Sequence, residues 1–267
     1  ARHLWLYKDE SDILDLQTLA ADTNSQVRRA ACLSLGQGHF LESVGLLKDI
    51  AENAGETVLV RGAALESLAR LTESKNTLEL ALEMRGHIQN RVFFVVLGLL
   101  KIREAGDQLI AETHDAISSG NLQEREANEL VTALRQYSDN EEVLGLLVEA
   151  LDALPGARTT AASALGKAGY EPAREALERL TFSSKPKLAA AAAKALCHLG
   201  VGKSAPVISK LLSRDEDIAH TILRSLEGAE SLSIVREVAQ VGPTGLRAPA
   251  IWAAMRIDEE AGCNIAS

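Results

Sequence analysis

The sequence predicts an all-α fold, an α-solenoid (superhelix) of about eight to nine antiparallel helical hairpins. A leucine in a small-residue context recurs about every thirty residues, and such a period is typical of stacked supersecondary units. The recurring positions are Leu35, Leu68, Leu100, Leu134, Leu165, Leu196, Leu226 and Met255. Hydrophobic residues make up 46% of the 267 residues but aromatic residues only 3%. This composition favours close helix packing over β-sheets, which are enriched in aromatic residues.

Each unit is predicted to be a pair of helices. Residues 27–35 place apolar side chains on one helical face, and we expect Gly36 and Gly38 to end this helix in the left-handed conformation. The predicted pairs are 27–36 with 41–52, 60–68 with 78–84, 90–100 with 107–116, 125–134 with 141–151, 158–166 with 172–180, 187–196 with 206–212, and 218–226 with 232–240. An unpaired second helix over 11–21 precedes them, and an unpaired first helix over 248–255 follows.

The prolines support the same register. Pro172 and Pro206 are expected at the start of second helices, where a missing backbone N–H costs nothing, and Pro155 and Pro186 just ahead of first helices. The alanine run 189–193 indicates that neighbouring helices approach closely there. We expect residues 1–267 to form a single repeat array that is a segment of a longer repeat protein.

The first unit resembles a known repeat. Asp22 followed by the segment 27–36 (VRRAACLSLG) is similar to the bacterial HEAT-like repeat, the type first associated with phycobilisome lyases; segments 158–169 and 60–68 match it nearly as well. The resemblance implies a helical array that serves as scaffold, adaptor, lyase subunit or regulator, and fold analogy alone does not choose among these. It also implies that arginines near the start of first helices tie adjacent units by pairing with acidic residues. Arg28, Arg61 and Arg158 occupy this place, and Arg91 and Arg125 lie close to it.

Acidic charge is concentrated in the first half of the chain. The net charge is −9, and residues 1–150 hold 14 Lys and Arg against 24 Asp and Glu, whereas residues 151–267 hold 14 against 13. Since second helices usually line the concave face of HEAT-like arrays, their acidic residues are expected to form a negative trough; ordinary solvated faces are the alternative interpretation. The candidate partner-binding residues are Glu79, Glu83, Asp107, Glu112, Asp115, Glu141, Glu142 and Glu149.

The sequence carries no positive evidence for catalysis. None of the six histidines is followed by glutamate, and no two lie four residues apart, which excludes the HExxH zinc motif. The same observation excludes the His-Glu pairs of the di-iron deoxyhypusine hydroxylases, a HEAT-like enzyme family. Neither a glycine-rich phosphate loop nor a nucleophile elbow is present. We therefore predict no catalytic residue, no metal site and no cofactor.

The function expected from these observations is a non-enzymatic scaffold or adaptor that presents an acidic concave surface to a protein partner. A basic segment of the partner is the favoured ligand. A phycobilin lyase-like enzyme or enzyme subunit is the alternative that the resemblance leaves open. The acidic charge disfavours nucleic acid and anionic membranes as partners.

Location and ends are predicted from the remaining patterns. No apolar run reaches the roughly 18 residues of a membrane span, and the three cysteines match no metal or disulfide pattern, which favours the cytoplasm. The first unit, with Leu4, Trp5 and Tyr7, looks cut in its first helix, and the acidic tail after Ile257 supplies no second helix. Self-association through these repeat ends is therefore left open.

Overall fold

The structure, a computed structural model, describes residues 10–212, 216–226, 228 and 231–259. In this part of the chain sixteen α-helices and three short 3₁₀ turns form all the regular structure, and no strand is present. The all-α prediction is therefore confirmed. The chain divides into two compact units, Ala1–Tyr137 and Ser138–Ser267. The segment with Leu4, Trp5 and Tyr7 and the tail from residue 260 onward lie outside the described residues.

The first unit is a stack of helices in two rows. Its helices are α1 (Glu10–Leu19), α2 (Ser25–Gln37), α3 (Val44–Glu52), α4 (Val58–Leu71), α5 (Lys75–Glu83), α6 (Asn90–Leu100), α7 (Arg103–Ser119) and α8 (Glu124–Leu134). Helices α2, α4, α6 and α8 pack on one another in succession and form the first row. Helices α3, α5 and α7 each pack on the following member of that row.

The second unit repeats this plan. Its helices are α9 (Glu141–Ala153), α10 (Arg158–Ala168), α11 (Arg174–Leu180), α12 (Pro186–His198), α13 (Val201–Leu212), α14 (Glu216–Ser225), α15 (Leu232–Val241) and α16 (Thr244–Ile257). Helices α10, α12, α14 and α16 pack in succession, and α9, α11, α13 and α15 each pack on the next of them. Each unit is thus a solenoid-like stack in which each second helix packs on the first helix that follows it, and α5, α7 and α13 also pack on the first helix before them.

The recurring leucines form the centre of this packing. From Leu35 to Leu226 all seven predicted leucines are buried, as helical spacing on an apolar face requires. Met255 is the exception, because 38% of it is exposed on α16. Side-chain caps help to set the helix starts: Asn24, Ser74 and Asn140 each accept a hydrogen bond from a backbone N–H of the first turn that has no helical partner.

The glycines have a different role from the one predicted for Gly36 and Gly38. Helix α2 continues to Gln37, and Gly38 is right-handed (φ −74°), so the left-handed ending expected there is wrong. Gly36 instead lies against the next first helix, where an added Cβ would stand 2.5 Å from the Ser67 hydroxyl. The left-handed residue after α2 is His39 (φ 57°), and a glycine takes this conformation after a helix at Gly169 (φ 65°).

Two prolines lie inside helices instead of at their starts. Helix α13 begins at Val201, five residues before Pro206, and α16 begins at Thr244, ahead of Pro249. The predicted helix starts at these prolines are therefore wrong. A proline removes a single backbone donor, and packing against neighbouring helices can outweigh that loss. Pro172, in the 3₁₀ turn before α11, and Pro186, at the first position of α12, follow the prediction.

Candidate functional site

The first unit has a cleft of about 670 Å³ between α3 and α5, with α4 at its base; we call it the α3–α5 cleft. This volume lies in the range of ligand-binding pockets in proteins. The cleft is lined by Val44, Lys48, Glu52, Arg61, Leu68, Thr72, Ser74, Asn76, Thr77, Glu79, Leu80, Glu83, Met84 and His87. It includes Glu79 and Glu83, two of the partner-binding residues predicted from sequence.

Helical spacing explains why these side chains meet. On α3, Val44, Lys48 and Glu52 are separated by four residues each and so share one face. On α5, Glu79 and Glu83 are related in the same way. The register of α5 is set at its start, where the Ser74 hydroxyl accepts a hydrogen bond from the backbone N–H of Asn76.

The cleft combines an apolar base with a charged rim. Leu68 and Met84 are buried at 3% and 2% exposure, and Val44 and Leu80 are half-buried beside them. The rim residues Lys48, Glu52, Glu79, Glu83 and His87 are exposed. A partner side chain in the cleft would therefore bury apolar surface and meet carboxylates at the same time.

The acids of the rim differ in how they are neutralised. Glu52 lies 3.7 Å from the Lys48 ammonium, one turn earlier on α3. Glu79 and Glu83 have no cation within salt-bridge distance among the described residues. The nearby Lys75 pairs instead with Glu104 on α7, and this hydrogen bond raises the pKa of Lys75 and lowers that of Glu104.

The three predicted residues on α7 do not join the cleft. Glu112 is held by a bidentate ion pair with Arg85, at 2.7 and 3.2 Å, and its side chain is only 14% exposed. Asp107 lies 3.9 Å from Arg103 on its own helix, and Asp115 is exposed. The predicted acids that line the α3–α5 cleft are thus the two on α5, Glu79 and Glu83.

The other three predicted acids belong to the second unit. Glu141 and Glu142 are exposed in the first turn of α9, where negative charge is favourable next to the helix N-terminus. Glu149 is exposed two turns further along the same helix. The position of Glu141 and Glu142 stabilises the helix without requiring a ligand.

The arginines predicted to tie the units make several kinds of contact. Arg28 forms a bidentate ion pair with Glu56 at 2.6 and 2.8 Å and also donates to the carbonyl oxygen of Asp22. This hydrogen bond lowers the pKa of Glu56 and raises that of Arg28. Arg91 on α6 donates to Glu129 on α8 at 2.9 Å.

The remaining arginines of this set find no carboxylate. Arg61 donates through Nε to the carbonyl oxygen of Ala51, at the end of α3. Arg158 donates to the carbonyl oxygens of Leu151 and Asp152 at the end of α9. Arg125 is exposed and has no hydrogen bond or ion pair with the described residues. Backbone carbonyls at helix C-termini thus take the place of the acids that the resemblance implies.

Sequence reasoning missed a second set of contacts centred on Arg85. Its guanidinium lies 4.5 Å from the centroid of the Phe93 ring, within cation–π distance, and also donates to Asn90. Asn90 in turn donates to Glu126 on α8 at 3.1 Å. The network links α5, α6, α7 and α8. A sequence signal was absent because Arg85 follows a second helix, outside the repeated arginine position.

The nucleophilic and metal-binding side chains of the described residues offer no further site. No group of three or more His, Cys, Asp or Glu in this part of the chain could hold a metal ion. Burial raises the pKa of both Cys32 and Cys197 to about 12, so both thiols are protonated at neutral pH. No described helix is long and apolar enough to cross a membrane.

Comparisons with known proteins add little to this geometry. No protein-family model and no curated protein matches the chain. Among solved structures, the chain is similar to human deoxyhypusine hydroxylase in complex with glycerol, with 16% sequence identity and a TM-score of 0.35. The alignment covers 96% of this chain and 88% of the hydroxylase chain. A likeness at this level carries no conclusion about function, and the coordinates themselves establish a helical repeat protein.

Proposed function

We propose that this protein is a non-enzymatic scaffold of HEAT-like repeats, located in the cytoplasm, that binds a basic segment of a protein partner in the α3–α5 cleft. The observation that carries the proposal is the pairing of an apolar base with two carboxylates, Glu79 and Glu83, neither of which forms a salt bridge with a described cation. A lysine or arginine side chain satisfies both features, since its methylene stem packs on apolar surface while its charge meets a carboxylate.

The location of the cleft also supports binding of a segment in preference to a small ligand. The cleft is open along two exposed helices, α3 and α5, and its rim residues are accessible to solvent. Charged rims of this kind mainly raise the rate of encounter and choose among partners, while the buried apolar contacts supply much of the affinity.

Selection of short random peptides displayed on phage, with the full chain as bait, tests the proposal. We expect the enriched peptides to be rich in Lys and Arg. The affinity of one such peptide, measured by fluorescence anisotropy, should fall on raising the salt concentration because exposed charge pairs are screened. The double variant Glu79→Gln/Glu83→Gln should weaken binding about tenfold, the combined size of two exposed ion pairs.

The matched control is Asp107→Asn/Asp115→Asn, which makes the same change in net charge on α7, outside the cleft. We expect its affinity to stay within about twofold of the native value. An equal loss in both double variants would show that overall charge attracts the peptide and would overturn the assignment to the cleft. Enrichment of peptides without basic residues would contradict the proposal as well.

A further inference from the structure

Arg61 is the unusual residue of the α3–α5 cleft. It is half-buried at the base, and only its Nε is engaged, by the carbonyl oxygen of Ala51 at 2.9 Å. Its two terminal nitrogens donate to no described residue. A guanidinium that faces a cleft with most of its donors unused is a ready site for an anionic group.

Comparison of equivalent positions explains why Arg61 is left in this state. Arg28 is the fourth residue after the N-cap Asn24 of α2, and Arg61 is the fourth after the N-cap Thr57 of α4. The guanidinium of Arg28 is fully used, because Glu56, the residue before the next N-cap, pairs with it. In the next helical hairpin, Ile88 occupies the position equivalent to Glu56.

Ile88 cannot neutralise an arginine, and it is itself buried at 5% exposure. It immediately precedes Gln89, the N-cap of α6, as Glu56 precedes Thr57. With an apolar residue at this position, Arg61 lacks the carboxylate that Glu56 provides for Arg28. The arginine then lies in the cleft, within reach of a partner's anionic group.

We propose that the α3–α5 cleft binds a peptide segment in which one carboxylate lies among basic side chains, the carboxylate contacting Arg61 and the basic groups contacting Glu79 and Glu83. This inference rests on the proposed function. It adds a negatively charged group to the peptide and places that group at Arg61. The planar guanidinium matches a carboxylate with two parallel hydrogen bonds. A phosphate group fits less well, since the doubly charged anion would be repelled more strongly by the three carboxylates of the rim.

The test uses peptides from the selection described above. We expect the enriched basic peptides to contain one Asp, Glu or free C-terminal carboxylate at a constant place. Replacement of that carboxylate by its amide should weaken binding to the native chain about ten- to a hundredfold, as expected for a partly desolvated Arg–carboxylate pair. The same replacement should have no effect on binding to Arg61→Gln.

Two further variants separate recognition from folding. Arg61→Lys keeps the charge but not the planar fork, and we expect part of the preference for the carboxylate to remain. The control Arg70→Gln lies on the same helix, removes an arginine paired with Glu66 outside the cleft, and should keep the full preference. If Arg61→Gln does not fold, the amide replacement on the native chain and the Arg61→Lys result still decide the question.

The outcomes distinguish the inference from the proposal on which it rests. Basic peptides that lack any constant carboxylate, or an amide effect that is equal in native chain and Arg61→Gln, would overturn the inference and leave the proposed function standing. Enrichment of no basic peptide would overturn both. An amide effect that is confined to the native chain supports both.

Discussion

At the scale of single residues, the role of an arginine at equivalent positions of two helical hairpins depends on its neighbours. Arg28 pairs with Glu56 and so joins two successive helical hairpins. Arg61 lacks such an acid and faces the cleft. The repeat pattern made both positions visible in the sequence. Whether such an arginine is a structural tie or an available donor group depends on the residue before the next first helix, about thirty residues away in the chain.

Substitution of Glu56 by glutamine should lower the thermal midpoint at neutral pH. Arg28 lowers the pKa of the Glu56 carboxyl from its ordinary value of 4.5 by a hydrogen bond to the charged form. The pair therefore stabilises the fold above the ordinary pKa, and this contribution is lost as the pH falls through the lower folded pKa. Differential scanning calorimetry should show a deficit for the variant at pH near 7 that disappears in acid. A deficit that is the same at both pH values would contradict this account.

At the scale of helices, two first helices approach each other closely where both have small residues at the contact. An added Cβ would stand 2.9 Å or less from a residue of the following first helix at three glycines, Gly36, Gly98 and Gly166. The residues opposite are small as well: Ser67, Ala133 and Ala195. The buried Ser67 hydroxyl also donates to the carbonyl oxygen of Cys32 at 2.8 Å, which satisfies its polar group between the helices.

Two identical substitutions in the second unit should have opposite effects on stability. Gly166→Ala would place a Cβ 2.5 Å from the Cα of Ala195, so α10 and α12 must separate, at a cost of about 1–3 kcal/mol. Gly145→Ala on α9 meets nothing within 4 Å and should stabilise the helix by about 0.5–1 kcal/mol. The free energy of unfolding, measured with urea, checks both. Equal changes would show that helix propensity, and not the contact, determines the result.

At the scale of the whole molecule, contacts run between neighbours in the sequence of helices. Within each of the two compact units, each first helix packs on the next first helix, and each second helix packs on the first helix that follows it. Stability in such a chain is close to a sum of repeat and nearest-neighbour terms. A substitution that opens a single cavity is therefore expected to lower the stability of the neighbouring helices and not of the whole chain.

Leu65→Ala on α4 should lower the stability of its surroundings by about 2–5 kcal/mol, since the side chain is fully buried. Hydrogen exchange followed by mass spectrometry should show faster exchange in α2 to α6 and little change in α12 to α16. Leu223→Ala on α14, equally buried, should give the reverse distribution. Uniform acceleration along the chain in either variant would refute nearest-neighbour stability.

The amino-acid sequence alone determined the helical class, the period and most of the buried positions. These follow from local physics, because the leucines from Leu35 to Leu226 repeat at helical spacing and small residues surround them. Local preference was misleading at Gly36, which packs against Ser67 of the next first helix, and at Pro206 and Pro249, which lie inside helices.

Only the tertiary structure decided which charges are available. The sequence marked Glu79, Glu83 and Glu112 alike, but Arg85 neutralises Glu112, while the other two line a cleft. Arg61 likewise differs from Arg28 in the structure, because Glu56 pairs with Arg28 whereas the terminal nitrogens of Arg61 donate to no described residue. The reason is physical: the state of a charged side chain depends on groups within a few ångströms in space, and helix stacking brings those together from distant parts of the chain.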